Sequence, residues 1–274
     1  MKTVVFDMDG VLYRGNEILP DAADCVTRLI ECKFSVGYLT NNSARSRCDY
    51  VEKLSGMGIP ATIDQVMTSG EATVRYLQSE GIRNGHIYVI GETGLADALQ
   101  TGGFTIDISD EGPPCDYVII GWDRHFTFNK IVRAQKELRE NGARFIATNS
   151  DAMFPASKGR ILPGAGTMVA AVEVASGVKP LIIGKPNTIS LKFLLENLGM
   201  KNGTDGKYDE LWVVGDRLDT DIACGNALGA HTVLVTTGIS TREQAENSPD
   251  NQKPEFVIDS LSELPGIISR IPQA

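Results

Sequence analysis

Asp7 and Asp9 stand two residues apart, where the short apolar run Thr3-Val4-Val5-Phe6 meets Gly10. On an extended chain residues i and i+2 point to the same side. The pair therefore presents two carboxylates to one small volume at the mouth of a sheet. Two like charges ~4 Å apart repel by roughly 4 kcal/mol at an effective dielectric near 20. Such a pair needs a cation, a shared proton or a wide separation; a solvated Asp-rich turn is the plain alternative. Three more polar signatures follow apolar runs, and ligands of open parallel sheets bind beyond the carboxyl ends of strands. Thr40-Asn41 follows Phe34–Leu39 and offers a hydroxyl and an amide to an oxyanion, whereas Asn42 and Ser43 also read as helix caps. Gly184-Lys185-Pro186 follows Leu181-Ile182-Ile183. Pro186 disfavours helix at Lys185 and keeps the ammonium at the strand mouth, with a solvated surface lysine as the alternative. Gly215-Asp216-Arg217-Leu218-Asp219-Thr220-Asp221 follows Leu211–Val214, which puts Asp216 at a strand end and Asp221 in a first helical turn. Asp7, Asp9 and Asp216 form an oxygen set suited to Mg²⁺, and Lys185 offsets a phosphate. A carboxylate nucleophile, a neighbouring acid, a metal, an amide and a lysine are the parts that aspartyl-phosphate chemistry requires.

The elements that position these residues alternate short β-branched runs with helical stretches, the pattern of parallel βαβ units. Helices are predicted over 21–33, from the Thr40-Asn41 turn to about Met57 with Gly58 as stop, and from Ser69; a weak strand covers 65–67. From about Gly81 a second unit begins, with strands near 87–90, 117–121 and 144–148 and a helix capped by Thr127 and stopped at Asn141-Gly142. The stretch 149–166 has no period and is rich in Gly and Pro, and irregular loops this long are often functional. A helix near 167–176 closes the unit. Strands at 181–184, 211–215, 231–235 and 256–258, with helices over 188–198 and 219–228, then resume the first pattern. The fold class is α/β: a Rossmann-like doubly wound parallel sheet built from 1–80 and 180–274, with an α/β unit inserted over 81–179.

The chain has 274 residues, 42% of them hydrophobic and 22% charged, which suits an ordinary globular protein with a sizeable core. A formal charge of -9 argues against nucleic acid or an anionic membrane as partner, and no apolar run approaches a membrane span. The amino terminus does not read as a signal peptide, because Asp7 and Asp9 interrupt any hydrophobic region. Five widely spaced cysteines without a CxxC pair fit reduced thiols in the cytoplasm better than a disulfide frame or a zinc site.

On these four signatures the chain resembles the haloacid dehalogenase superfamily over nearly its full length. FDMDGVLYRG resembles the first motif, YLTNNS the second, GKP the third and GDRLDTDI the fourth. The second Asp of the first motif points to the phosphatases of that superfamily. GWDRHFTFNK, ATNSD, LPGAG and VTTGIST resemble the class IIA branch, whose α/β cap lies between the second and third motifs and whose members include 4-nitrophenylphosphatases, phosphoglycolate phosphatase, pyridoxal phosphatase and NagD-type nucleotide phosphatases. The resemblance implies Asp7 as nucleophile and Asp9 as acid and then base. It implies Mg²⁺ held by Asp7, the Asp9 carbonyl and Asp216 with support from Asp221, and a phosphoryl group held by Thr40, Asn41 and Lys185, with Asn42 alongside. Residues 10–15 are expected to form a flap beside the nucleophile. The cap loop, with Asn149, Asp151 and Arg160 as candidates, is expected over the leaving group; Asp123, Arg124 and His125 are expected near the cap interface. His86 and His231 read as structural. The resulting expectation is a Mg²⁺-dependent phosphatase of small phosphorylated metabolites, a homodimer through its cap. A phosphotransferase or mutase, and a regulatory phospho-ligand-binding protein, are the rivals.

Overall fold

The computed structural model describes residues 2–155, 161–200, 208 and 210–270. Six strands form the first sheet, all parallel, in the spatial order Phe256–Ile258, His231–Val235, Leu211–Gly215, Thr3–Phe6, Ser35–Thr40, Val66–Thr68. The chain starts in the middle, winds outward to Val66–Thr68, and later restarts at Leu211 on the other flank. The reversal point of this doubly wound sheet therefore lies between Thr3–Phe6 and Leu211–Gly215, where such sheets open a crevice at their carboxyl ends. Asp7 and Asp216 follow these two strands directly.

A second parallel sheet has the order Leu181–Ile182, Arg144–Ala147, Tyr117–Ile120, His86–Ile90, Thr105–Asp107. Here the structure departs from the sequence expectation. The strand before Lys185, read as a return to the first sheet, pairs with Ile146 and Ala147 of the second. Its sequence is apolar enough for either sheet, so composition does not discriminate. The stretch read as irregular holds an antiparallel pair, Met153–Pro155 with Ile161–Pro163. The helix Thr93–Thr101 and the strand Thr105–Asp107 also went unread.

Strand alternation assigns the faces. Val4, Phe6, Val36, Tyr38 and Val214 pack to one side of the first sheet with the helix Ala22–Glu31. Val5, Leu39, Met67 and Val213 pack to the other side, in one continuous buried cluster with Ile87, Val89, Ile119 and Ile146 of the second sheet. Leu77, Leu95, Leu99, Leu191 and Leu194 lie in the same cluster, from helices Ser69–Ser79, Thr93–Thr101 and Ile189–Asn197. The outer face of the second sheet, with Tyr88, Ile90, Val118 and Ile120, packs on helices Phe128–Arg139 and Ala165–Ser176. Two sheets thus share one middle layer of helices. Among the described residues no helix is long and apolar enough to cross a membrane.

Candidate active site

Asp7 Oδ1 accepts a hydrogen bond from Lys185 Nζ at 2.5 Å, and the same ammonium donates to Asp221 Oδ1 at 2.6 Å and to the Leu39 carbonyl at 3.3 Å. Lys185 is 3% exposed. Burial acts to lower its pKa, but the carboxylates of Asp221 and Asp7 outweigh it and hold the ammonium protonated. Asp7, Asp216 and Asp221 each bring a carboxylate oxygen within 4.8 Å of the others. Two buried acids, the half-buried Asp7 and one lysine leave two negative charges unmatched, the charge of one divalent cation. Burial raises Asp7 from 3.8 to about 7, with Asp221 and Asp9 adding to the rise against the pull of Lys185. Burial also lifts Asp216 well above the usual carboxylate range, with Asp221 and Asp7 contributing. Both shifts run in the direction of a site that favours added positive charge, and an all-oxygen donor set of this kind suits Mg²⁺ or Ca²⁺. The residues fit a divalent metal.

Loop chemistry fixes each acid. Asp221 Oδ2 accepts the backbone N–H groups of Asp216 and Arg217, closing the turn after Leu211–Gly215. Asp219 pairs with Arg217 at 2.8 Å, and the chain turns through Leu218–Ile222 into the helix Ala223–Ala227. Asp216 Oδ2 accepts from Ile239 N–H, and the Asp216 carbonyl from Ser240 N–H. Gly238 makes that approach feasible, since a Cβ there would overlap the Asp216 carboxylate. Gly238, Ile239 and Ser240 lie in the VTTGIST stretch that carries the class IIA resemblance, but their support of Asp216 was not read from the sequence. Gly10, at φ 89°, starts the flap hairpin Tyr13–Arg14 with Glu17–Ile18. A Cβ on Gly10 would lie 2.6 Å from Asp216 Oδ2, so the flap and Asp216 meet only because position 10 is glycine.

Asp9 lies beside this cluster, but its carboxylate does not join the three converging acids. Its buried Oδ1 has no hydrogen-bond partner, and burial raises its pKa, opposed by the charge of Lys53 and by a backbone hydrogen bond from Gly15. Thr40 and Asn41 are buried at the next strand end. Thr40 Oγ1 accepts from Asn42 N–H, and Asn42 Oδ1 accepts from Ala44 N–H. Neither Asn42 nor Ser43 caps the following helix; Ser46 does so in a capping box with Asp49. Ser43 instead packs where the sheets meet, its hydroxyl accepting from Thr148 Oγ1 at 3.2 Å.

A cleft of about 710 Å³ opens over these groups, with Tyr13, Tyr50, Trp122, Met153 and Arg217 also on its walls. Asn149 and Asp151 both reach it. Asn149 Nδ2 donates to the Asn41 carbonyl, and its Oδ1 accepts from Asp151 N–H. The Asp151 carboxylate lies 3.2 Å from Asn41 Nδ2 and 3.8 Å from the Arg217 guanidinium. Arg217 had no sequence signal beyond its place between two motif acids. Arg160 lies outside the described residues. Asp123, Arg124 and His125 stand off the cleft wall: Asp123 is buried against Lys130 at 2.5 Å and accepts from His125 N–H, and Arg124 pairs with Glu92 at 2.8 Å. His86 bonds the Pro114 carbonyl and His231 stacks on Trp212, both structural placements.

Sequence comparison now assigns the family. Residues 4–105 match the pattern of haloacid dehalogenase-like hydrolases, and residues 182–264 match a second, HAD-hydrolase-like pattern. The chain belongs to the haloacid dehalogenase-like hydrolases. It is 37% identical over 262 residues to the 5'-nucleotidase YutF of Bacillus subtilis, covering 96% of each chain. It is 39% identical over 243 residues to an acid sugar phosphatase of Staphylococcus epidermidis, covering 89% of each. A glycerol phosphate phosphatase of Mycobacterium tuberculosis, solved in complex with magnesium, superposes with a TM-score of 0.85 at 27% identity, covering 96% of this chain and 76% of that one. The expected fold is observed, an α/β Rossmann-like core that carries a cap, and a solved relative superposes on nearly the whole chain.

Proposed function

We propose that this hydrolase is a Mg²⁺-dependent phosphatase of small phosphate monoesters, working through a phosphorylated Asp7. The observation that carries the reading is the convergence of Asp7, Asp216, Asp221 and Lys185 at the reversal point of the sheet, with Asp9 next to them. The relatives' names, a nucleotidase and phosphatases of sugars and glycerol phosphate, support the substrate class.

An Asp7 oxygen attacks phosphorus in line with the departing alcohol, and the P–O bond to that alcohol breaks as the acyl phosphate forms. Asp9 gives its proton to the alcohol oxygen. Burial raises its pKa, the direction a carboxyl needs if it is to donate a proton and then accept one from the hydrolytic water. Water attacks the phosphoryl group, Asp7 is released and phosphate leaves. Lys185 balances the negative charge gathered on Asp7 and on the transferred oxygens. Asp7, Asp216, Asp221 and the Asp9 carbonyl would hold the divalent ion, which supplies charge neutralisation at the transferred phosphoryl group. Thr40 and the Asn41–Asn42 turn border the phosphoryl end, while Asn149 and Asp151 face the leaving group.

Phosphate release from 4-nitrophenyl phosphate, with and without EDTA, tests the reading; turnover unaffected by EDTA contradicts it. The same reading includes a cytoplasmic location, which five unpaired cysteines suit, and a homodimer through the second unit. Phe128 and Val132, 75% and 47% exposed, give the outer helix of that unit apolar surface, and analytical ultracentrifugation decides the oligomeric state.

A further inference from the structure

Lys185 reaches the site from the second sheet, since the strand just before it, Leu181–Ile182, is hydrogen-bonded to Arg144–Ala147. Its ammonium must nevertheless sit between Asp7 and Asp221 of the first sheet. The side chain of Asn41, at the end of the first-sheet strand Ser35–Thr40, makes the connection. Asn41 Oδ1 accepts from Lys185 N–H at 2.8 Å, and Asn41 Nδ2 donates to the Lys185 carbonyl at 2.9 Å. The second Nδ2 proton points to Asp151, 3.2 Å away. Chemistry fixes the amide orientation: the Lys185 N–H can only donate, whereas its carbonyl and the Asp151 carboxylate face donors. With both amide protons engaged, the side chain has no donor left for a phosphoryl oxygen.

The clamp is itself held. The Asn41 carbonyl accepts from Ser69 Oγ at 2.5 Å and from Asn149 Nδ2 at 2.7 Å. Gly184 permits the close approach, since a Cβ there would lie 2.5 Å from Asn41 Oδ1. We infer that the Asn41 side chain is a positioning group, which docks the Lys185 backbone so that the ammonium meets Asp7, and does not itself act on the phosphoryl group. The inference rests on the phosphatase reading and gives Asn41 a different task from the oxyanion donor its sequence position implies.

A double-mutant cycle with Lys185 separates the two roles, with 4-nitrophenyl phosphate and Mg²⁺ as the assay. Asn41→Ala should lower kcat/KM by about 10- to 100-fold, the range for leaving buried backbone groups unpaired. In a Lys185→Met background the same change should add less than about 3-fold, because a group that acts through the lysine has nothing left to act on. Losses that multiply in full would mean that Asn41 contacts the phosphoryl group independently, and the inference falls. Should Asn41→Ala fail to fold, the near-isosteric Asn41→Asp keeps the acceptor, loses the donor and enters the same cycle. The phosphatase reading stands or falls separately, on whether the wild type releases phosphate in a Mg²⁺-dependent way. A Lys185→Met enzyme as active as wild type overturns the positioning role as well.

Discussion

Two aspartates two residues apart are given opposite tasks by what surrounds each. Asp7 is hydrogen-bonded to Lys185 and faces two further acids, whereas the buried Asp9 Oδ1 is free of hydrogen bonds. Asp7→Asn should therefore lower 4-nitrophenyl phosphate turnover by at least about 1,000-fold, since removal of a nucleophile disables the whole constellation. Near wild-type turnover would refute the nucleophile assignment. Asp9→Ala should slow alkyl esters such as glycerol 3-phosphate by about 100- to 10,000-fold, the range for general acid catalysis. Its effect on nitrophenyl esters should be much smaller, because nitrophenolate departs with little help from a proton. An equal loss on both esters would remove Asp9 from the acid role. These residues were legible in the sequence because each is a charged group placed directly after an apolar strand. Asn41 was legible as a site residue, but its task depends on which backbone lies opposite, and one strand cannot report that.

At the scale of elements, the loops after two strands, Thr3–Phe6 and Leu211–Gly215, bring like charges together at a cost. For Asp7 the folded-state pKa of about 7 lies above the unfolded value of 3.8. A raised carboxylate pKa means that the folded state holds the proton more tightly, so this contribution to stability is complete below about pH 4 and is lost as pH rises through about 7. Asp216 shifts in the same direction. The metal-free protein should thus melt at a lower temperature at about pH 8 than at about pH 5, and saturating Mg²⁺ should remove most of that decline, because the ion binds the deprotonated acids. Thermal melts in EDTA and in Mg²⁺ check it; a metal-free melting point that rises over this interval would contradict the assignment. Most strands were readable from short β-branched runs, and Gly58, Gly142 and Gly199 marked helix ends, each with positive φ. The strand before Lys185 was assigned to the wrong sheet because Leu-Ile-Ile is apolar enough to be buried in either. The pair Met153–Pro155 with Ile161–Pro163 was missed because Pro and Gly hide a two-residue period so short.

Across the whole molecule, the helices between the sheets serve both. Leu95 shows how tightly they are held: added Cβ atoms on Gly91, Gly121 and Gly70 would come within 2.9, 3.0 and 3.6 Å of its side chain. Leu95→Ala should cost about 2–5 kcal/mol, as for other large-to-small changes in a packed core. It should lower the stability of both sheets together, within one calorimetric transition. Two resolved transitions, only one of them shifted, would show that the sheets unfold independently. This joint layer could not be read from the sequence, because helical periodicity reports that a face is apolar but not which sheet covers it.

The common helical layer also bears on how such a protein could be re-engineered. A fragment cut at 81 and 179 would keep only the helix Thr93–Thr101 of that layer over Ile87, Val89, Ile119 and Ile146, would expose the rest of the wall to water and would precipitate more readily than fold. New specificity therefore has to be grafted turn by turn around Asn149–Asp151 and Trp122, because wholesale exchange of the insert would tear out half of its host's interior.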